Sequence, residues 1–489
     1  MGRHSLAPTI VDADITAPAP DQAPTGPIPI PIPIPRRPVA SSGPLPVVRP
    51  PIPAGVVPVA SVPEAGPRLL AGWLETGRPA DLDEHLRRYG EPPRARFAGR
   101  RGAKRLVELV DEAGLRGRGG AGFPTARKMA TVLSASTPRR RPVVVANGCE
   151  GDPTSGKDRM LLQAAPHLVL DGMALAAHAV GADQAILCVH RDSPLVEPLE
   201  AAIAERADDP ADVHLVTVPR RYVASEASAV VNFLTTGEAR PTSVPPLPAE
   251  RGVQGRPTLV DNVETLAHLA LLARYGADWF RDRGTEDSPG TTLVTMDGAV
   301  RYPGVYEVDM GASAGHLLRL AGGATDPIQA LLLGGLGGSW LPAAGDLSLG
   351  HFDCAASGAG LGVASLLALP VDACGLSVTA AILRYLADES AGQCGPCMFG
   401  LPALAEDIAM LAAGTADAEL PERLRRRLGL IPGRGACAHP DGAVRLAAST
   451  LRVFPDDIAE HLRGWPCGRP DRAAFPVLRA LTSPAGGWR

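Results

Sequence analysis

Three cysteines in the C-terminal third of the chain have the spacing of metal ligands. Cys394 and Cys397 form a CxxC pair, and Cys437 lies in a later glycine-rich stretch that also contains His439. A CxxC pair brings two thiolates within reach of one metal centre. The spacing predicts an iron–sulfur site, or a zinc site with His439 as fourth ligand. A redox-active thiol pair is a further alternative, although no thioredoxin-like βαβ unit surrounds it.

A glycine-rich string, GLRGRGGAGFPTARK at residues 114–128, could hold an anionic ligand. Glycines let the backbone approach a ligand closely, and the N-terminus of the helix that follows favours negative charge. Such a string by itself is weak evidence, because a simple helix–helix turn has the same composition.

A second candidate loop, NGCEGDPTSGKDR at residues 147–159, directly follows an apolar run that predicts a strand. Ligands of open α/β sheets bind at the carboxyl ends of the strands. A solvated acidic loop would have the same composition, so the loop becomes informative only in combination with the other strings.

Alternating strands and helices must position these two loops. Apolar runs predict strands at 142–146, 184–189 and 214–218, and helical patterns occupy 104–115, 167–180, 195–207 and a segment that begins at Pro124. This alternation is typical of an α/β sheet over roughly residues 100–285.

The pattern changes after residue 287. Segments 291–296 and 304–308, joined through a turn at Asp297-Gly298, predict a β-hairpin, and a short helix follows at 316–320. We interpret this part as a small β-grasp-like module. Amphipathic segments between 376 and 462, interrupted at Pro402, Pro421 and Pro432, predict a helical bundle. The predicted regions are a Pro-rich disordered extension (1–67), an α/β domain (68–287), a β-grasp domain (288–372), a helical bundle (373–465) and a tail (466–489).

The composition excludes several classes of function. The 489 residues carry 48 Lys and Arg against 52 Asp and Glu, a balance that excludes a generally basic nucleic-acid binder. The longest uncharged stretch is diluted by Ala, Ser, Gly and Pro, and the N-terminus has no apolar secretory segment, so we predict a cytoplasmic chain without direct membrane insertion. The alternating Pro-Ile run at 27–35 favours polyproline II or disorder, because proline lacks the amide proton of a strand.

Taken together, the strings occur in the order found in one family. They include YVASE at 222–226, VDNVET at 260–265 and ESAGQCGPC at 389–397, besides the two loops and the Cys437 segment. The chain resembles the NADH-binding flavoprotein subunit of respiratory complex I and of related bacterial hydrogenases and formate dehydrogenases. The resemblance covers about residues 100–465 and includes a central module similar to the soluble-ligand-binding β-grasp (SLBB) domain.

The resemblance implies an α/β FMN-binding domain that takes hydride from NADH onto FMN and passes single electrons to a 4Fe-4S cluster and on to a partner subunit. It implies a cofactor-binding set in which Phe123 and Asp152 stack on and hydrogen-bond the nicotinamide nucleotide. Cys394, Cys397 and Cys437 fall on cluster ligands. No catalytic residue is assigned. The remaining members of the cofactor-binding set are Gly117, Arg118, Gly119, Gly120, Lys128, Asn147, Glu150, Tyr222, Glu226 and Asn262.

The sequence also departs from the family's cluster motif. Ala391 stands where the family has its first cluster cysteine, and a methyl group cannot bind iron. A three-cysteine cluster could form, or Ser390, Asp388 or an external ligand could complete it, or no cluster binds. Cys374 is a more distant candidate.

The nucleotide side of the motif is changed as well. Cys149 replaces an Asp, Ala227 replaces a Glu, and Val244 and Leu247 replace a Lys and a Phe. The loss of a phosphate-facing cation and of a stacking ring should each weaken nucleotide binding by about 1–3 kcal/mol. We therefore expect FMN binding, with NADH binding weak or absent. The alternatives to an electron-transfer flavoprotein are a cofactor-depleted paralogue that acts as a scaffold or regulatory partner, and a zinc-stabilised binding protein.

Overall fold

The computed structural model describes residues 67–206, 212–469 and 487–489. The predicted Pro-rich extension, apart from its last residue, lies outside the described residues, as does most of the predicted tail. Within the described ranges the helices are α1 (Ala71–Thr76), α2 (Leu82–Tyr89), α3 (Gly99–Ala113), α4 (Thr125–Ala135), α5 (Lys157–Ala164), α6 (Pro166–Val180), α7 (Val196–Ala204), α8 (Ala227–Thr236), α9 (Val263–Tyr275), α10 (Ala277–Arg281), α11 (Ala314–Leu320), α12 (His351–Ala356), α13 (Gly375–Asp388), α14 (Leu401–Ala412), α15 (Leu420–Leu430), α16 (His439–Val453) and α17 (Pro455–Leu462). The strands are β1 (Val143–Asn147), β2 (Gln184–His190), β3 (Asp212–Val218), β4 (Thr258–Asn262), β5 (Thr291–Gly298), β6 (Gly304–Asp309), β7 (Ile328–Leu333), β8 (Ser339–Pro342) and β9 (Ser365–Pro370).

The first sheet is parallel throughout and has the order β3-β2-β1-β4. Val143, Val144 and Val145 are fully buried, as expected for a parallel strand that helices cover on both faces. The α/β architecture predicted from the sequence is confirmed. Strand β4 was not predicted, because its apolar part is short and two polar residues end it; its place is fixed by pairing with β1.

The second sheet has five strands in the order β6-β5-β9-β7-β8. The neighbouring strands β5 and β9 are parallel, while the other neighbours are antiparallel, and α11 lies in the chain between β6 and β7. The predicted hairpin is present as β5 and β6. The predicted turn at Asp297-Gly298 is wrong, because both residues still pair with β9, opposite Leu367 and Ala368, and the chain turns after them.

The C-terminal helices pack against one another and against the second sheet. Helix α13 contacts α14 and α16, and Trp340 of β8 donates a hydrogen bond to Thr379 of α13 at 2.9 Å. Pro421 lies in the first turn of α15 and Pro432 directly follows the residue that caps its end, so these two predicted breaks are helix boundaries. Pro402 lies in the first turn of α14, which continues directly from a π-helical turn at Pro396–Gly400.

The described helices include no single one long and apolar enough to cross a membrane. One pair, Lys157–Ala164 with Pro166–Val180, reaches such a length and composition only when joined across a bend of 95°.

Candidate functional site

The site begins at the ends of two neighbouring parallel strands. Asn147 ends β1 and Asn262 ends β4, and the two residues face each other in the sheet register. The chain continues from β1 to β2 on one side, whereas β4 lies on the other side, so the crevice between these strand ends is the topological switch point of the sheet. Open α/β sheets bind ligands at this position.

Both asparagines hold the neighbouring loops in place. The Asn147 side chain donates to the Ser225 carbonyl at 2.8 Å and accepts from the Cys149 amide at 3.2 Å. The Asn262 amide donates to Asp158 at 2.7 Å, and its oxygen accepts from the Glu264 amide at 3.0 Å. These two predicted residues therefore organise the crevice rather than simply lining it.

The glycine-rich loop between α3 and α4 passes close to these strand ends. A Cβ atom on Gly119 would lie 3.3 Å from the Asn262 Cβ, and Gly120 and Gly122 have φ values of +110° and +59°. The Arg118 amide anchors the loop by donating to the Thr265 hydroxyl at 2.9 Å. A side chain at Gly119 or Gly120 would strain the loop or crowd the crevice.

A cavity of about 550 Å³ opens between this loop, the strand ends and the C-terminal helices. Glycines in the loops of the second sheet (Gly334, Gly337 and Gly362), which belong to the second domain (residues 288–372), also line this cavity. The predicted cofactor-binding residues at its wall are Gly117, Gly119, Gly120, Phe123, Lys128, Asn147, Asp152, Tyr222, Glu226 and Asn262. Arg118 and Glu150 line an adjoining cavity of about 140 Å³. The structure therefore brings the whole predicted set to one place.

The roles of individual side chains differ within this set. Lys128 donates to the Asp261 carboxylate at 2.6 Å and to the Val260 carbonyl at 2.7 Å, which places a cation at the crevice. Glu226 caps the N-terminus of α8 by accepting from two amides. Phe123 is 45% exposed, so its ring is available at the mouth of the cavity.

The Asp152 carboxylate joins three segments of the wall. One oxygen accepts from the amide and the hydroxyl of Thr154, and the other accepts from the Leu336 amide at 2.7 Å and the Tyr222 hydroxyl at 3.1 Å. Burial and the neighbouring carboxylate raise the pKa of Tyr222 well above its ordinary value. Protein donors thus already engage both oxygens of the carboxylate that was predicted to bind the nucleotide.

A buried charge cluster under the cavity was missing from the predicted set. Lys157 is 2% exposed, and its ammonium lies 2.6 Å from Asp158 and 3.0 Å from Glu264. Burial opposes the charged ammonium, but attraction to the two carboxylates outweighs it and raises the pKa of Lys157. Burial also raises the pKa of Asp158 to about 7. The sequence did contain a signal, since two of its three lysines, Lys128 and Lys157, fall in the candidate loops.

The cavity fits FMN on the evidence of its wall. A planar ring needs a space with few intruding side chains, and eight of the residues that line this cavity are glycines. Lys128 is paired with Asp261 at 2.6 Å, so the binding of a phosphate group would depend on the backbone amides of the glycine-rich loop.

The predicted metal ligands lie beside the same cavity. Cys437 lines it directly. Cys394 and Cys397 flank the start of a π-helical turn, Pro396–Gly400. Burial opposes ionisation of Cys394, but hydrogen bonds that include those from the Cys397 and Ala436 amides outweigh it and lower the pKa of this thiol. The bundle thus brings together thiols that are far apart in the sequence.

The zinc alternative does not fit these three cysteines. Tetrahedral zinc holds two sulfurs about 3.8 Å apart, whereas the three thiols do not all lie within 4.8 Å of one another; among the described residues, one trio of metal-binding types does, and it is elsewhere. His439, the predicted fourth ligand, has its Nε2 at 2.7 Å from the Leu386 carbonyl oxygen. That carbonyl requires a proton on Nε2, so only Nδ1 of His439 could bind a metal, and the spacing of the three thiols is what argues against zinc here.

Ala391 is buried beside the CxxC pair. Glu389 lies two residues before Ala391 in the chain. Its carboxylate accepts from the Tyr222 amide at 2.8 Å and pairs with Arg221 at 3.1 Å. The cluster segment is thereby tied to the wall of the cavity. Cys374, the distant candidate for a fourth cluster ligand, instead lies with His461 and Cys467.

Four residues differ from the family motif on the nucleotide side, and the structure shows where each of them lies. Cys149 is buried in an apolar cluster, and burial raises the pKa of its thiol well above the ordinary value. Ala227 lines the cavity, whereas Val244 and Leu247 are exposed.

Comparisons with known proteins agree with this geometry. The Nuo51 FMN-binding domain matches residues 110–271, and the NADH-ubiquinone oxidoreductase-F iron-sulfur binding region matches residues 377–461. The second NADH-quinone oxidoreductase F subunit of Rhizobium meliloti (strain 1021) is 32% identical over 380 residues, which are 74% of this chain and 90% of that protein. The chain belongs to the family of NADH-quinone oxidoreductase F subunits.

Hydrogenase subunits are also similar to this member of the NADH-quinone oxidoreductase family. NADP-reducing hydrogenase subunit HndC of Solidesulfovibrio fructosivorans is 29% identical over 78% of this chain and 80% of its own length. A chain of the NAD+-reducing NiFe-hydrogenase in the air-oxidized state has 30% sequence identity and a TM-score of 0.73, covering 83% of this chain and 68% of that chain. The first family match contains the glycine loop and both strand ends, and the second contains Ala391 and all three cluster cysteines. The family resemblance inferred from the sequence is confirmed.

Proposed function

We propose that this chain is an electron-transfer flavoprotein that holds FMN in the glycine-lined cavity and an iron–sulfur cluster on Cys394, Cys397 and Cys437. The observation that carries the proposal is that Cys437 lines the same cavity as Gly119, Asn147 and Tyr222. FMN, when bound, can accept two electrons as hydride and release them singly. The protein contributes the cavity, the backbone amides of the glycine-rich loop and the position of Cys437 in the cavity wall.

The side chains around the cavity support this role. The backbone amides of the glycine-rich loop favour an anionic ligand, while Glu150 accepts from the amides of Asp158 and Arg159 and so holds the start of α5. The cavity mouth beside Phe123 is the entry for a donor. With Ala227, Val244 and Leu247 at the changed positions, NADH is a weak donor or none, and another reductant supplies the electrons.

A partner subunit accepts the electrons, as in the multi-subunit complexes named for the relatives. Met398 and Phe399, directly after the cluster residue Cys397, are 54% and 71% exposed, an unusual apolar surface beside a redox centre. The strand order and the parallel pairing of β5 with β9 support a β-grasp module of the SLBB type at residues 288–372, between the two cofactor regions. Cytoplasmic localisation stays a prediction.

The experiment is cofactor analysis of the anaerobically purified full chain. We expect about one FMN per chain, with iron and acid-labile sulfide in addition. Gly120→Trp should abolish FMN binding because the indole would enter the cavity, whereas Gly429→Trp, on an open face of α15, should not. A colourless protein without flavin or iron would favour the scaffold alternative, and unchanged flavin content in Gly120→Trp would refute the assigned cavity.

A further inference from the structure

A second cluster of metal-binding side chains lies away from the cavity, where three segments of the C-terminal region meet. Cys374 precedes α13, His461 lies near the end of α17, and Cys467 belongs to the stretch that follows α17. The two Sγ atoms and a ring nitrogen lie within 4.8 Å of one another. None of the three belongs to the iron–sulfur motif.

The orientation of His461 suits a metal ligand. Its Nδ1 lies 2.9 Å from the Ala412 carbonyl oxygen and 3.2 Å from that of Leu411, so this nitrogen carries the proton. The lone pair is therefore on Nε2, which lies 4.0 Å from the Cys374 Sγ and accepts from the Cys467 amide at 3.1 Å. A histidine held by a backbone carbonyl through its other nitrogen is the usual arrangement in metal sites.

The surrounding structure holds both thiols against this nitrogen. The Cys374 Sγ accepts from the Ser377 amide at the N-terminus of α13, which offsets part of the rise in pKa that burial gives this thiol. The Arg469 side chain donates to the Val371 carbonyl at 3.2 Å and pairs with Asp457. It thereby fixes the segment of Cys467 on the other two segments.

We propose that Cys374, His461 and Cys467 bind a zinc ion that joins the end of the described bundle to the start of α13. Two soft thiolates and an imidazole are a zinc ligand set. Each thiol releases one proton to solvent as its bond to zinc forms, and the Cys467 amide, on a half-exposed segment, turns from Nε2 to water. The 4.0 Å separation of Cys374 and His461 needs to shorten only to about 3.5 Å.

The fourth position belongs to water, because among the described residues no carboxylate oxygen lies within 4.8 Å of all three ligand atoms. The site is distinct from the proposed flavin and cluster centres and does not depend on them.

The test is zinc content of the full chain, measured by mass spectrometry after purification without a metal-affinity step. We expect about one zinc per chain, and a cobalt-loaded sample should give the absorption of tetrahedral cobalt thiolate in the difference spectrum. Cys467→Ser should lower bound zinc roughly tenfold or more. Cys354→Ser, at a buried thiol in the second domain, is the matched control and should retain zinc.

Two further variants keep the result unambiguous. Cys467→His preserves a ligand and should retain cobalt with a shifted spectrum, which separates ligand loss from misfolding. Cys394→Ser should leave zinc unchanged, because it alters only the cluster motif. Absence of zinc and cobalt binding, loss of zinc in Cys394→Ser but not in Cys467→Ser, or a Cys374–Cys467 disulfide in protein made under reducing conditions would each overturn the proposal.

Discussion

Removal of the buried Lys157 ammonium should cost much of the stability of the first domain. In Lys157→Met, Glu264 loses the ammonium 3.0 Å away. It keeps the Arg118 guanidinium, whose Nε lies 3.8 Å distant, and the hydrogen bonds from the Thr292 hydroxyl at 2.9 Å and the Leu293 amide at 3.0 Å. If Glu264 is instead protonated in the folded variant, protonating a carboxyl group of ordinary pKa 4.5 at pH 7.5 costs about 4 kcal/mol. The remaining attraction to Arg118 reduces this figure, so we expect a loss of about 3 kcal/mol, in the range for breaking a buried ion pair.

The assay is urea unfolding of the purified chain followed by circular dichroism, with FMN content as a second readout. Lys104→Met is the matched control, because Lys104 is exposed and contacts only Glu108 at 3.3 Å, a surface pair worth about 0.3–0.5 kcal/mol. Lys157→Met combined with Asp158→Asn should recover part of the loss, since one buried carboxylate is then neutral. A change below about 1 kcal/mol in Lys157→Met, or equal effects of the two lysine variants, would refute the reasoning.

Three further predictions concern the cluster, the nucleotide and pH. Ala391→Cys should raise iron towards four per chain and sharpen the reduced-state EPR signal, because it restores a fourth thiolate; unchanged iron would count against a cluster at this site. Val244→Lys with Leu247→Phe should lower the KM for NADH in ferricyanide reduction roughly tenfold or more, and strong NADH oxidation by the unmodified chain would show that these losses matter little. Burial raises the pKa of Asp158 to about 7, so the folded state binds more protons than the unfolded state between about pH 4 and 7. The contribution of Asp158 to stability should therefore fall as pH rises through this window. Buried histidines such as His167 and His268, whose pKa values are lowered by burial, contribute in the opposite direction. The test is therefore the difference between variants: in urea unfolding, Asp158→Asn should gain stability relative to the parent as pH rises from about 4 to 7.

The site could be predicted from the sequence wherever chemistry depends on residue type and local order. The motifs of the site occur in an order that is recognisable as that of one family. This order identified the glycine loop, Asn147, Tyr222 and the CxxC pair. The alternation of apolar runs and helical patterns likewise predicted the parallel sheet, since strands covered on both faces must be continuously apolar. The absence of a ligand-type residue at Ala391 is equally a fact of the sequence.

Other features could not be predicted because they arise from contacts between distant segments. Strand β4 is too short to be distinguished by its own pattern, and pairing with β1 decides it. The ion pairs of Lys157 depend on the simultaneous burial of Asp158 and Glu264, which no local spacing reveals. The same holds for Asp152, whose oxygens are engaged by Tyr222 and by a loop of the second domain.

The sequence by itself determined the order of the elements, the family strings and the identity of the candidate ligands. Only the tertiary structure decided which of the cysteines lie together. It places Cys437 at the wall of the flavin cavity and Cys374 beside His461 and Cys467, because helix packing sets distances between residues that are remote in the chain. The sequence supplies the thiols, whereas the packing of the helices fixes their partners and, through burial and hydrogen bonds, their pKa values.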